Sequence, residues 1–135
     1  MASIHQTATL EVSPEVAWDF LERYTRSEVH AFSACISERQ VDDYRVVTTQ
    51  SGEEIWERNV TVDPMNMRAV YAIPGLRNCE HHQAEMRVLD EGTGKASLVW
   101  VTDFLPHSVA EELRENYQVL LGDLVQAINA HQVVE

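Results

Sequence analysis

The densest group of chemistry-bearing side chains in this sequence is Glu80, His81, His82 and Glu85. Imidazoles and carboxylates this close together suit either a divalent metal or general acid–base work. Residues 79–89 alternate polar and apolar as a half-buried strand does, so His81 and His82 point to opposite faces. His81 and Glu85 share a face but stand roughly 13 Å apart at strand rise, too far for one ion. No metal site is therefore expected. The chain has no nucleophile elbow, P-loop or dinucleotide glycine pattern, and no cofactor is expected either. Cys35 and Cys79 lie far apart in no CxxC or Cys/His ligand pattern, which predicts two free thiols.

The elements that must position these groups follow from periodicity. Residues 2–12 alternate, with Ile4, Ala8, Leu10 and Val12 on one side, and predict a strand. Ser13-Pro14 reads as a helix N-cap followed by proline at the first helical position. Val16, Ala17, Phe20, Leu21 and Tyr24 then share a helical face. A second short helix or an irregular segment covers Thr25 to Ser33. From Ala34 to Pro106 strands are predicted over 34–41, 44–50, 53–62, 66–73, 79–89 and 95–104. Turn chemistry separates them at Asp42-Asp43, Ser51-Gly52, Asp63-Pro64, Pro74-Gly75 and Gly92-Thr93-Gly94. Connections this short force antiparallel pairing, hence a meander. Ser108-Val109-Ala110-Glu111 reads as a capping box opening a helix to about Ala130. Its stripe of Leu113, Tyr117, Leu120, Leu121, Leu124 and Ile128 should lie on the concave face of the sheet.

Period-2 counting assigns the inward faces. Ala96, Leu98, Trp100, Thr102 and Phe104 share one face, and His82, Ala84, Met86 and Val88 another. Met67, Ala69, Tyr71 and Ile73 form a third set. On the 53–62 strand, Trp56, Arg58, Val60 and Val62 form the more apolar side. Tyr117 and Leu121 should meet the sheet from the closing helix. The expected ligand-contacting set is thus Trp56, Met67, Tyr71, Ala84, Met86, Leu98, Trp100, Phe104 and Leu121. The inward polar groups are Arg58, Tyr71, His82 and Tyr117. A buried guanidinium needs a partner, water or a ligand anion unless its stem packs and its head reaches solvent. His82 reads either as a hydrogen-bonded core histidine or as a proton shuttle. Polar tips in an apolar cup are the anatomy of a small-molecule site.

Composition narrows the partners. With 135 residues, 44% of them hydrophobic, and no linker-like stretch, one domain over residues 1–135 is expected. The net charge of −12 and the lack of a basic stripe argue against nucleic acid. Apolar runs of only a few residues argue against membrane insertion, and the N-terminus has no signal-peptide character, so a cytoplasmic location is expected. A homodimer is compatible with the sequence.

Three stretches carry a family resemblance: "LEVSPEVAWDFL" (Leu10 to Leu21), "VTVDPMNMRAVYAI" (Val60 to Ile73) and "HHQAEMRVLDEGTGKASLVWVTDF" (His81 to Phe104). In this order, they resemble the polyketide cyclase/dehydrase branch of the START-like, Bet v 1-like (SRPBCC) superfamily. The resemblance implies an α+β helix-grip fold. In it a seven-stranded curved antiparallel sheet wraps around a long C-terminal helix, with two short helices after the first strand. It also implies an internal cavity for a small apolar molecule, aromatic or polyketide-like. On an enzymatic reading, the chemistry would be aldol-type ring closure with loss of water. Arg58 would steady an enolate while His82 and Tyr117 handle protons. A non-catalytic lipid or isoprenoid carrier, or a protein-interaction module on the same fold, are the alternatives.

Overall fold

The computed structural model describes residues 2–133. Strand β1 (Ser3–Thr9) leads into helix α1 (Pro14–Thr25), followed by β2 (Cys35–Val41), β3 (Tyr44–Thr49), β4 (Glu54–Asp63), β5 (Arg68–Ala72), β6 (His81–Asp90), β7 (Ala96–Leu105) and the long helix α2 (His107–Asn129). The seven strands form one antiparallel sheet in the order β1-β7-β6-β5-β4-β3-β2. Six of them follow the chain as a meander, and β1 adds beside β7 with Ser3 opposite Asp103.

The start of α1 is built as its sequence predicts. The Ser13 hydroxyl accepts from the Val16 N–H at 3.3 Å, and Pro14 fills the first turn. No second short helix follows. Ser27 turns left-handed at φ 59°, and the chain runs irregularly to β2, laying Ala31 and Phe32 into the core. Burial of those two side chains outweighs the weak helical signal. The capping box is also absent. Pro106 is the N-cap of α2 and makes no side-chain cap bond, Ser108 sits inside the first turn, and Glu111 pairs with Arg114 at 3.3 Å.

Helix α2 lies over β1 and β7. Gln6 Nε2 on β1 donates to the Tyr117 carbonyl at 2.9 Å, tying the helix to the sheet. Leu124 and Ile128 are fully buried, whereas Leu113, Leu120 and Leu121 are only half-buried. The helix is therefore anchored in the core at both ends, by Val109 and Ala110 and by Leu124 and Ile128, and its stretch from Leu113 to Leu120 lies over a cavity. Leu124→Ala should cost about 2–5 kcal/mol in denaturant unfolding, and Leu121→Ala under about 2 kcal/mol. Equal costs would mean that the helix packs evenly along its length.

Strand β4 departs from simple alternation. Its register with β5 shifts between Asn59 and Thr61, a bulge that places an extra residue, Val60, in the strand. On one side of the bulge, Arg58 stands opposite Ala72; on the other, Val62 stands opposite core-facing Ala69. Trp56 and Arg58 accordingly lie on the convex face, and Ile55 and Glu57 point inward. Period-2 counting carried through a bulge inverts the face, which is why the apolar residues Trp56, Val60 and Val62 misled it.

Candidate ligand cavity

Between the sheet and the middle of α2 lies a cavity of about 490 Å³. Helix α1 and the segment after it supply Tyr24, Phe32 and Ala34. Strands β2 to β4 supply Cys35, Val47, Thr49, Ile55 and Glu57. Tyr71, Ile73, Leu76 and Trp100 close the far wall, and Leu113, Asn116, Tyr117, Val119 and Leu120 of α2 form the roof. Of its lining residues Ala34, Asn116 and Val119 are exposed, so the cavity opens between the segment before β2 and α2.

Aromatic rings form a connected wall. Tyr24 meets Phe32 edge-on at 6.2 Å, and Phe32 stacks on Trp100 at 6.0 Å. Trp100 and Tyr117 are 5.3 Å apart, and Phe104 meets Tyr117 edge-on at 5.7 Å. His82 continues the chain, 5.3 Å from Phe104 and 5.8 Å from Tyr71. Offset and edge-on pairs are the contact geometries that aromatic rings favour.

The polar corner is built by residues that the sequence reading did not single out. Arg45 on β3 stands directly opposite Glu57 on β4, and both point inward. Arg45 Nη1 donates to Glu57 Oε1 at 3.2 Å, and the Tyr24 hydroxyl donates to the same oxygen at 3.2 Å. The guanidinium lies over the Tyr24 ring at 3.9 Å and has Glu38 at 3.7 Å behind it. Burial pushes the Glu57 carboxyl above the ordinary carboxylate range, with Arg45 pulling part of the way back. Burial likewise raises the Tyr24, Tyr71 and Tyr117 phenols and the Cys35 thiol, so all four stay protonated at neutral pH. One sequence signal could have revealed the pair. Counting outward from the Ser51-Gly52 turn brings Arg45 and Glu57 opposite each other to within one residue, as two opposite charges on a hairpin.

The residues expected at the site divide into three groups. Tyr71, Trp100 and Tyr117 line the cavity. His82, Ala84, Met86, Leu98 and Phe104 face inward and are buried, but they belong to the packed core beside it; Met67 and Leu121 are half-buried against the same core. His82 Nδ1 accepts from the Ile73 N–H at 3.1 Å, and among the described residues nothing meets Nε2. Burial drives its pKa down to about 4. Trp56 and Arg58 form the third group, on the convex face. There Arg58 pairs with Asp43 at 3.3 Å in solvent, and Trp56 packs edge-on against Tyr44 at 5.5 Å. Cys35 and Cys79 are both free thiols. Among the described residues no three His, Cys, Asp or Glu side chains gather as a metal site requires, and no helix is long and apolar enough to cross a membrane.

No family model and no curated protein matches the sequence. Solved structures do match over nearly the whole chain. The protein XoxI from Bacillus cereus superposes with a TM-score of 0.79 at 19% identity, covering 96% of this chain and 94% of that one. Norcoclaurine synthase from Thalictrum flavum, in complex with dopamine and hydroxybenzaldehyde, gives 0.68 at 13% identity over 98% and 88%. Ara h 8.0201 gives 0.67 at 14% identity over 93% and 96%. With its seven-stranded sheet curved around a long C-terminal helix, the chain has the Bet v 1-like helix-grip fold.

Proposed function

We propose that the protein binds a small, apolar, aromatic molecule inside the cavity. The observation that carries this reading is the anatomy of the cavity itself. About 490 Å³ of space is walled by aromatic and aliphatic side chains, with one polar corner at Glu57 and Tyr24. A preformed apolar pocket with few, fixed polar groups is what small-molecule recognition uses. A protein of the same fold that holds dopamine and hydroxybenzaldehyde supports the choice of an aromatic guest.

Trp100 is the one tryptophan among the cavity-lining residues; Trp18 and Trp56 lie elsewhere. Aromatic compounds should therefore change tryptophan emission saturably. Val47→Phe, which adds a ring at a buried lining position, should abolish the response while leaving the fold intact. A flat response across a broad aromatic and lipid panel would show that the interior is simply closed packing.

A second reading, ring closure of a polyketide-like chain, draws on one observation. Glu57 is a buried carboxyl with a raised pKa next to a phenol, which is how proton-transfer groups are set up. On this reading Glu57 and Tyr24 handle protons in the cavity. Arg58 on the convex face and His82 in the packed core lie outside it.

A further inference from the structure

We infer that the guest ends in a hydrogen-bond donor, cationic or neutral, which it places on Glu57 Oε2, and that the cavity selects against molecules ending in a carboxylate or phosphate. This inference rests on the binding reading above and specifies the chemical class of its ligand.

The arrangement of donors around Glu57 carries the argument. Both protein donors, Arg45 Nη1 and the Tyr24 hydroxyl, converge on Oε1. Among the described residues no donor meets Oε2. Glu57 is only 8% exposed and lines the cavity, so this acceptor has little access to water outside it. The Glu57 side chain keeps 11% exposure and Oε2 is not fully enclosed by protein, so this oxygen is an acceptor without a protein partner that a guest in the cavity can reach and hydrogen-bond.

The sign of the preference follows from which charge the cavity sees. Glu57 is the one Asp, Glu, Lys, Arg or His among the lining residues. The neighbouring phenols and the Cys35 thiol stay neutral because burial opposes their ionisation. Arg45 offsets this charge only in part, because the guest meets the carboxylate first and the guanidinium behind it. Arg45 is 1% exposed, it does not line the cavity, and the Tyr24 ring covers its guanidinium at 3.9 Å. The positive partner is thus behind a ring, and the carboxylate is in front. The surrounding field has the same sign, since the whole chain carries a net charge of −12. An anionic head brought into this corner would meet a carboxylate in a low-dielectric setting, whereas an ammonium, phenol or alcohol would complete its hydrogen bonding.

Three probes of one shape test the inference: naphthylethylamine, naphthylethanol and naphthylacetate, titrated calorimetrically into the full chain at neutral pH. The amine and the alcohol should bind, and the carboxylate should bind at least about tenfold more weakly than the amine. In Glu57→Gln the amine-to-carboxylate ratio should fall by about tenfold or more, with the alcohol little changed. The double variant Glu57→Gln, Arg45→Met should show the same loss of preference without an unpaired guanidinium behind the site. If the carboxylate binds as tightly as the amine to the wild-type chain, the inference is overturned while cavity binding stands. If none of the three binds, and Val47→Phe gives the same heats as wild type, the binding reading itself fails and this inference with it.

Discussion

Arg45→Met should destabilise the protein by about 3–5 kcal/mol in denaturant unfolding, more than any substitution of a surface charge. Arg45 is 1% exposed, and its guanidinium is held by Glu57 at 3.2 Å, by Glu38 at 3.7 Å and by the Tyr24 ring. Methionine fills much of the same volume, so little of the loss is a cavity effect. What remains is a buried Glu57 carboxylate with only the Tyr24 hydroxyl to support it. The double variant Arg45→Met, Glu57→Gln should regain most of the stability, because the amide oxygen still accepts from Tyr24 and no buried charge is left. Arg58→Met is the internal control. Its ion pair with Asp43 has both side chains more than half exposed and should contribute about 0–1 kcal/mol. Were Arg45→Met as mild as Arg58→Met, the buried pair would have to be solvated through the cavity mouth.

Acidification should cost on the order of 3 kcal/mol through His82 alone. Burial holds its folded-state pKa at about 4, below the ordinary 6.5. The unfolded chain therefore takes up this proton first. Stability is unaffected by His82 above about pH 6.5, falls as pH drops through the window from 6.5 to about 4, and levels off below it. The carboxylates with lowered pKa values, Glu28, Glu54, Asp19, Asp63 and Asp123, act mostly below that window. Their contribution is present above 4.5 for the two glutamates and above 3.8 for the three aspartates, and is lost as pH falls further. His82→Gln keeps an acceptor for the Ile73 N–H but carries no proton, so the difference between the two stability–pH profiles isolates the histidine. Parallel profiles between pH 6.5 and 4 would show that His82 is already hydrated or partnered in the native state.

How much of this was legible in the sequence can be traced residue by residue. The six meander strands follow from turn chemistry, because Ser51-Gly52, Asp63-Pro64 and Gly92-Thr93-Gly94 interrupt pairing wherever they occur. The inward faces of β6 and β7 follow from strict alternation: His82, Ala84, Met86, Leu98, Trp100 and Phe104 are all buried. Strand β4 could not be read the same way. Its bulge at Val60 changes face in mid-strand, and a bulge is fixed by pairing with a neighbour rather than by local sequence. The polar corner was hidden for a related reason. Arg45 and Glu57 each look like surface residues, and only their mutual register makes burial affordable. Tyr71, Trp100 and Tyr117 were found because aromatic residues on an inward face have few other places to go. The division between cavity wall and packed core depends on where α2 lifts away from the sheet, which its even apolar stripe does not disclose.

The pairing of β1 with β7 sets the order in which the chain can fold. Ser3 and Asp103 are a hundred residues apart in sequence, and α2, which crosses β1, is made later still. The meander from β2 to β7 can zip up by neighbouring hairpins, each closing a short loop. Strand β1 has no partner in the sheet until β7 exists. Closing so long a loop costs entropy before any contact repays it, and topologies of this kind fold in milliseconds to seconds rather than microseconds. On the ribosome, β1 must therefore wait with its apolar face uncovered, and the sheet gains this strand only after β7 has emerged.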